Sequence, residues 1–134
     1  MISIEIEKVN QGYEDLLAQV DLAFVSKDAS IANGAQNLHE ALEVLGPKLK
    51  RPHSRLICTW GDQGASGMDE KGQKYFVKAE KVEKIVDSCG AGDTFTATVI
   101  GSLVKGAKFE SAIEFACKMA AKKISQVGFR DLFD

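Results

Sequence analysis

Two short and nearly unbroken apolar runs, Leu22-Ala23-Phe24-Val25 and Arg55-Leu56-Ile57-Cys58-Thr59-Trp60, do most to limit what this chain can become. A strand with one wet face alternates apolar and polar residues. A run that is apolar throughout has both faces covered, as happens to interior strands of a parallel sheet flanked by helices. Ahead of the first run, Ile2, Ile4 and Ile6 alternate with Ser3, Glu5 and Glu7 at the period of a half-buried strand, and Tyr13 to Val20 has helical spacing. The chain therefore begins β-α-β. Asn37-Leu38-His39-Glu40 resembles a capping box and opens a helix that runs through Leu45 to a stop at Gly46-Pro47. Asp69-Glu70-Lys71-Gly72 marks a hairpin turn into Gln73-Lys74-Tyr75-Phe76-Val77.

The C-terminal part reads as two helices. The first follows Gly90 and is expected to carry Phe95, Val99, Leu103 and Val104 on one side, ending at Gly106. The second starts near Glu110 and repeats Ile113, Ala116, Cys117, Ala120, Ala121 and Ile124 at helical intervals until Gly128. Strands alternating with helices predict an α/β fold with a mainly parallel sheet and a β-hairpin, in a single domain over residues 1–134.

Composition narrows the function classes. With 45% hydrophobic and 27% charged residues in 134, this is the make-up of one soluble domain. A net charge of −2 offers neither a basic field for nucleic acid nor a polybasic membrane patch. No apolar run approaches the roughly 20 residues that span a bilayer, and the first residues alternate where a signal peptide would be continuously apolar. A cytoplasmic setting is the expectation. Cys58, Cys89 and Cys117 are too scattered for a CxxC site, and His39 and His53 stand alone, so reduced thiols and no metal chemistry through His or Cys are expected. Cys89, next to a glycine turn, is either a small packing residue or a thiol made acidic by a helix N-terminus.

The chemistry sits in Gly90-Ala91-Gly92-Asp93-Thr94-Phe95. Two glycines let main-chain N–H groups gather at a helix N-terminus, where the macrodipole favours an anion such as phosphate. Asp93 is the odd member, because a negative side chain repels the ligand that such a cradle attracts. Two roles fit it: general base for a hydroxyl that attacks a phosphoryl group, or plain satisfaction of the helix terminus. The second glycine turn, Gly61-Asp62-Gln63-Gly64 through Gly67, follows a strand and either admits a nucleotide close to the backbone or only makes a tight bend. Ligands of α/β sheets bind at the carboxyl ends of strands, which places both turns at the same edge if both follow strands. Phe95 stands where a dinucleotide fingerprint needs its third glycine, and no G-x-x-x-x-G-K-[ST] is present, so Rossmann and P-loop chemistry are both disfavoured.

Asp87-Ser88-Cys89-Gly90-Ala91-Gly92-Asp93-Thr94-Phe95 resembles the D-[ST]-x-G-A-G-D-[TS]-F signature of the ribokinase family of sugar kinases. Phe24 to Asp28, Cys58 to Ala65, and Cys117 to Lys123 followed by Gly128-Phe129 resemble stretches of that family's fructose-phosphorylating branch, so nearly the whole chain is covered. The resemblance implies a Rossmann-like three-layer α/β/α sandwich of which this is the C-terminal half, without the N-terminal half that carries most sugar contacts and a β lid. It implies ATP and Mg²⁺ as cofactors, K⁺ as a possible third, and transfer of phosphate to a sugar, most like fructose at its 1-hydroxyl. Asp93 matches the family's base and Gly90, Ala91 and Gly92 its anion hole. Gly61, Asp62, Gln63, Gly64 and Lys27 match nucleotide contacts, and Cys117 a helix position beside the adenine pocket. Asp87 either holds the turn by accepting local amides or lines a monovalent-cation site as in relatives.

The chain departs from the family in two places. Lys27-Asp28-Ala29-Ser30 stands where many members have Asn-x-x-Glu, which leaves the magnesium ligands unassigned, and Gly61 replaces an alanine common in the fructose branch. Two rival readings accompany the kinase: a nucleotide-binding fragment that transfers nothing, and a kinase of the same family with ribose, adenosine or a sugar acid as acceptor. Little turnover is expected of these residues alone, and uncovered strand edges would favour self-association or pairing with the missing half.

Overall fold

The computed structural model describes residues 1–133. They divide into two compact units, Met1–Phe76 and the residues from Val77 onward. The first is built on a five-stranded sheet whose spatial order follows the chain: β1 (Ser3–Ile6), β2 (Leu22–Val25), β3 (Arg55–Thr59), β4 (Ala65–Met68) and β5 (Lys74–Val77). The first three strands are parallel, with Ile4 opposite Ala23 and Ala23 opposite Leu56. Helix α1 (Tyr13–Leu17) crosses from β1 to β2, and α2 (Lys27–Ala32) and α3 (Leu38–Leu45) cross from β2 to β3. Alternate residues of the strands, Ile6, Ala23, Val25, Leu56 and Cys58, form one core with Leu17, Ala29, Leu42 and Leu45. As the continuous apolar run predicts, β2 is buried at every position.

Local chemistry explains the helix starts. Asn37 Oδ1 accepts the N–H groups of His39 and Glu40, both at 3.0 Å, and Glu40 accepts the N–H of Gln36 at 2.7 Å, so the reciprocal bond of the capping box lands one residue early. The Gly46-Pro47 stop becomes a 3₁₀ turn over Gly46–Lys48 before the chain leaves the helix. Helix α2 has only six residues, too few to print a periodicity, and is started by Ser26 Oγ accepting the Ala29 N–H at 3.1 Å.

The sheet is parallel over its first three strands, as expected, and becomes mixed at β4, which runs antiparallel to β3, with Ile57 opposite Gly67. Gly61–Gln63 is accordingly a 3₁₀ turn between antiparallel strands, with Gly61 and Gly64 at φ +57° and +99°. Ala65-Ser66-Gly67-Met68 reads as loop because its small side chains give no hydrophobic period, yet that smallness lets it pack as a buried strand. Beyond it the hairpin forms as expected: Asp69 Oδ1 accepts the N–H groups of Lys71 and Gln73, both at 2.9 Å.

The second unit contains α4 (Ala91–Val104) and α5 (Phe109–Ile124), which pack on one another. Gly106, at φ +87°, closes α4: its N–H reaches Leu103 O at 3.0 Å and that of Ala107 reaches Ser102 O at 2.9 Å. Phe95 and Val99 are buried on α4, and Phe109, Ala112, Ile113 and Ala116 on α5. Val104 is 76% exposed, against expectation. Nine residues separate it from Phe95, which at about 100° per residue turns it to the opposite face. The segment before Gly90 contains no strand. It is held instead by Val86 and Asp87, whose N–H groups both donate to Ile124 O at the end of α5, at 2.8 and 3.1 Å.

Candidate active site

The turn into α4 is shaped by Gly90, which stands at φ +79° as the N-cap residue. A Cβ at that position would lie 2.4 Å from Cζ of Phe129, so both backbone angle and neighbouring ring require glycine. Its carbonyl accepts the Thr94 N–H and the Thr94 hydroxyl, each at 2.9 Å. The carbonyl is thus locked. Of the first helical amides, that of Ala91 donates to Ser88 O at 3.3 Å. Those of Gly90, Gly92 and Asp93 have no acceptor among the described residues. These are the orphan donors of a helix terminus, left open to an outside acceptor. Nothing lies within 4 Å of where a Cβ of Gly92 would stand.

Asp93 is exposed, and its carboxylate meets no hydrogen-bond or ion-pair partner among the described residues. The capping role would require it to accept a main-chain N–H of the turn, and no such bond is present. A free carboxylate beside open amides can accept a proton from a hydroxyl while those amides hold an anion.

Asp87 organises the turn from behind. Its Oδ1 accepts the Cys89 N–H at 2.9 Å, and its Oδ2 meets the Lys123 ammonium at 2.9 Å and the Gly128 N–H at 3.4 Å. The hydrogen bond from Lys123, followed by that from Cys89, holds the Asp87 carboxyl below the usual carboxylate range. Lys123 is fully buried and also donates to the Asp87 carbonyl at 3.2 Å. The Phe129 ring that abuts Gly90 has its centroid 5.0 Å from the same ammonium. Asp87 Oδ2 and the Asp87 carbonyl are both engaged by the Lys123 ammonium, which leaves neither open to K⁺. Lys123 and Phe129 lie in stretches that carry the family resemblance, but the sequence gives neither a role. One signal was available: Lys123 falls seven residues after Ala116, on the stripe that α5 buries.

A groove of about 670 Å³ lies between the 80–86 segment and α5, lined among others by Lys81, Val82, Lys84, Lys118, Ala121 and Lys122. Cys117, one residue before Lys118, is buried, and burial together with the carboxylates of Glu80 and Glu114 pushes its thiol up to about 11. Cys58, inside the first unit's core, is pushed to about 12 by burial, while Cys89 is exposed.

The remaining candidates belong to the first unit, where Trp60 draws them together. Lys27, exposed at the start of α2, has its ammonium 6.0 Å from the Trp60 ring centroid. The turn that follows Trp60 exposes Gly61, Asp62 and Gln63 and buries Gly64. Half of its main-chain donors are spent: the Gln63 N–H reaches Trp60 O and that of Gly64 reaches Gly61 O, both at 3.1 Å.

A mixed α/β sheet and an aspartate-bearing glycine turn opening a long helix define the ribokinase-like class of kinases. Residues 3–133 match the pfkB family of carbohydrate kinases, and the chain belongs to that family. Ketohexokinase of Mus musculus is 38% identical over 128 residues, covering 96% of this chain and 43% of that protein. Guanosine-inosine kinase of Exiguobacterium acetylicum is 28% identical over 115 residues, 86% of this chain and 37% of its own length. Among solved structures, Arabidopsis thaliana ribokinase complexed with ribose and ATP superposes with a TM-score of 0.80 at 18% identity, over 94% of this chain and 42% of that one. Adenosine kinase from Sinorhizobium meliloti gives 0.75 at 23%, over 88% and 36%. The chain spans less than half the length of each of these relatives.

Proposed function

We propose that this chain supplies the catalytic base, the anion hole and the nucleotide contacts of an ATP-dependent kinase that phosphorylates a sugar hydroxyl, with fructose, at its 1-hydroxyl, as the acceptor. The observation that carries the reading is the pairing of an unpartnered Asp93 carboxylate with open N–H groups at Gly90, Gly92 and Asp93. In this mechanism the acceptor hydroxyl approaches Asp93, which takes its proton as the oxygen attacks the γ-phosphorus of ATP in line, and the bond from that phosphorus to the β,γ-bridging oxygen breaks to release ADP. The amides receive the charge spread over the phosphoryl oxygens, and the helix dipole adds to their field. Gly92, lacking a side chain, lets that group come close. Mg²⁺ neutralises ATP phosphate charge when bound. No cluster of three His, Cys, Asp or Glu side chains is present among the described residues, which suits a metal held chiefly by phosphates and water.

For the nucleotide, the groove of the second unit has the size of a small-ligand site, and in the first unit Lys27 and the Gly61 to Gly64 turn match nucleotide contacts by family resemblance. The acceptor is assigned to fructose on the 38% identity to ketohexokinase. A nucleoside acceptor is the second reading, favoured by the matches to guanosine-inosine kinase and to the adenosine kinase of Saccharomyces cerevisiae, 36% identical over 74 residues. Residues 1–134 act as one functional domain in a cytoplasmic protein, completed by the remaining part of the fold, and by themselves turn over little.

The test is Asp93→Asn in a protein that carries this chain together with that remaining part. Fructose-dependent ADP release is expected to fall about 10²- to 10⁴-fold in kcat, with ATP affinity within threefold of the parent. A variant that retained more than a tenth of kcat would refute the assignment of the base, and faster turnover with a nucleoside than with fructose would move the acceptor to the second reading.

A further inference from the structure

The Lys123 ammonium is held by two oxygens of one residue and by an aromatic face. The Asp87 carbonyl lies 3.2 Å from it and Asp87 Oδ2 2.9 Å, while the Phe129 ring presents a π system with its centroid at 5.0 Å. Lys123 is completely buried. An ammonium is a compact monovalent charge, and a desolvated one gains from both carboxylate and aromatic face. What the cation binds is what shapes the turn. The same carboxylate accepts the Cys89 N–H one residue before Gly90, and the same ring abuts the Gly90 Cα.

We propose that Lys123 is an internal monovalent cation, which holds Asp87 and Phe129, and through them the Gly90 turn, in the conformation that dissolved K⁺ would otherwise have to impose. Lys123 is a positioning residue; it touches no reacting atom. The turn is therefore set independently of the alkali-metal ion in solution. Chemistry favours the exchange, since a tethered cation does not dissociate and its approach is already fixed by α5.

Thermal unfolding of the chain in buffers of equal ionic strength, holding either potassium chloride or tetramethylammonium chloride, tests this. The unfolding midpoint of the unmodified chain is expected to agree between the two salts within about 1 °C, whereas Lys123→Ala lowers it by roughly 5 °C or more. Potassium or methylammonium should then restore part of the loss in Lys123→Ala, and the bulkier tetramethylammonium none. Specific stabilisation of the unmodified chain by potassium overturns the proposal, as does an unchanged midpoint in Lys123→Ala or a loss that neither small cation restores, which would reduce Lys123 to an ordinary ion pair. Amide exchange at Cys89 and Gly128 in the unmodified chain decides the matter even if the variant does not fold. Equal protection in the two salts supports the internal cation, and slower exchange in potassium refutes it. All these readouts concern the turn alone, so their failure and that of the kinase reading are separate events.

Discussion

At Gly90 and Gly92 the same residue type serves opposite needs. Gly90 combines a left-handed backbone with a ring 2.4 Å from any added Cβ, so Gly90→Ala should cost about 2 kcal/mol or more in denaturant unfolding. Gly92 has ordinary helical geometry and open space, so Gly92→Ala should leave stability unchanged or raise it by up to about 1 kcal/mol while weakening ATP binding, measured by calorimetry. Equal losses of stability in the two variants would contradict this division. Asp87 adds a pH dependence. Its folded-state pKa is depressed by Lys123 and the Cys89 amide, so its stabilising contribution is complete above the unfolded value of about 3.9 and disappears as pH falls through the lower folded value. The unfolding midpoint should therefore drop below about pH 4, and Asp87→Asn should flatten that drop.

Among the elements, those with local signals were legible and those defined by neighbours were not. Helix α3 announced itself through Asn37, and Asn37→Ala should cost about 1 kcal/mol in unfolding free energy, because two N–H groups lose their acceptor. The apolar runs of β2 and β3 and the hairpin turn at Asp69 were equally readable. By contrast, β4 is made of small residues whose place in the sheet comes from pairing with β3, and α2 is too short to show a period. In the site, the Gly90 to Asp93 motif could be read directly from the chain. Lys123 could not be assigned its role, since a lysine in the last turn of a helix ordinarily points to water.

Across the whole molecule, the two units meet in sequence at an exposed stretch that carries Lys78, Lys81 and Lys84. Limited trypsin digestion should cut there first and give fragments ending near Lys78 and beginning near Ile85, resolved by mass spectrometry. Earlier cleavage inside α4 or α5 would argue against the compactness of the second unit. Residue order by itself determined the α/β class, the helix caps and the glycine turn that opens α4, because these rest on periods and side-chain bonds spanning a few positions. Tertiary structure alone decided the direction of β4 and the joining of Asp87 to Lys123, 36 residues apart. Hydrogen bonds between strands and the burial of a charge depend on which distant segments meet, and that information does not reside in any short stretch of chain.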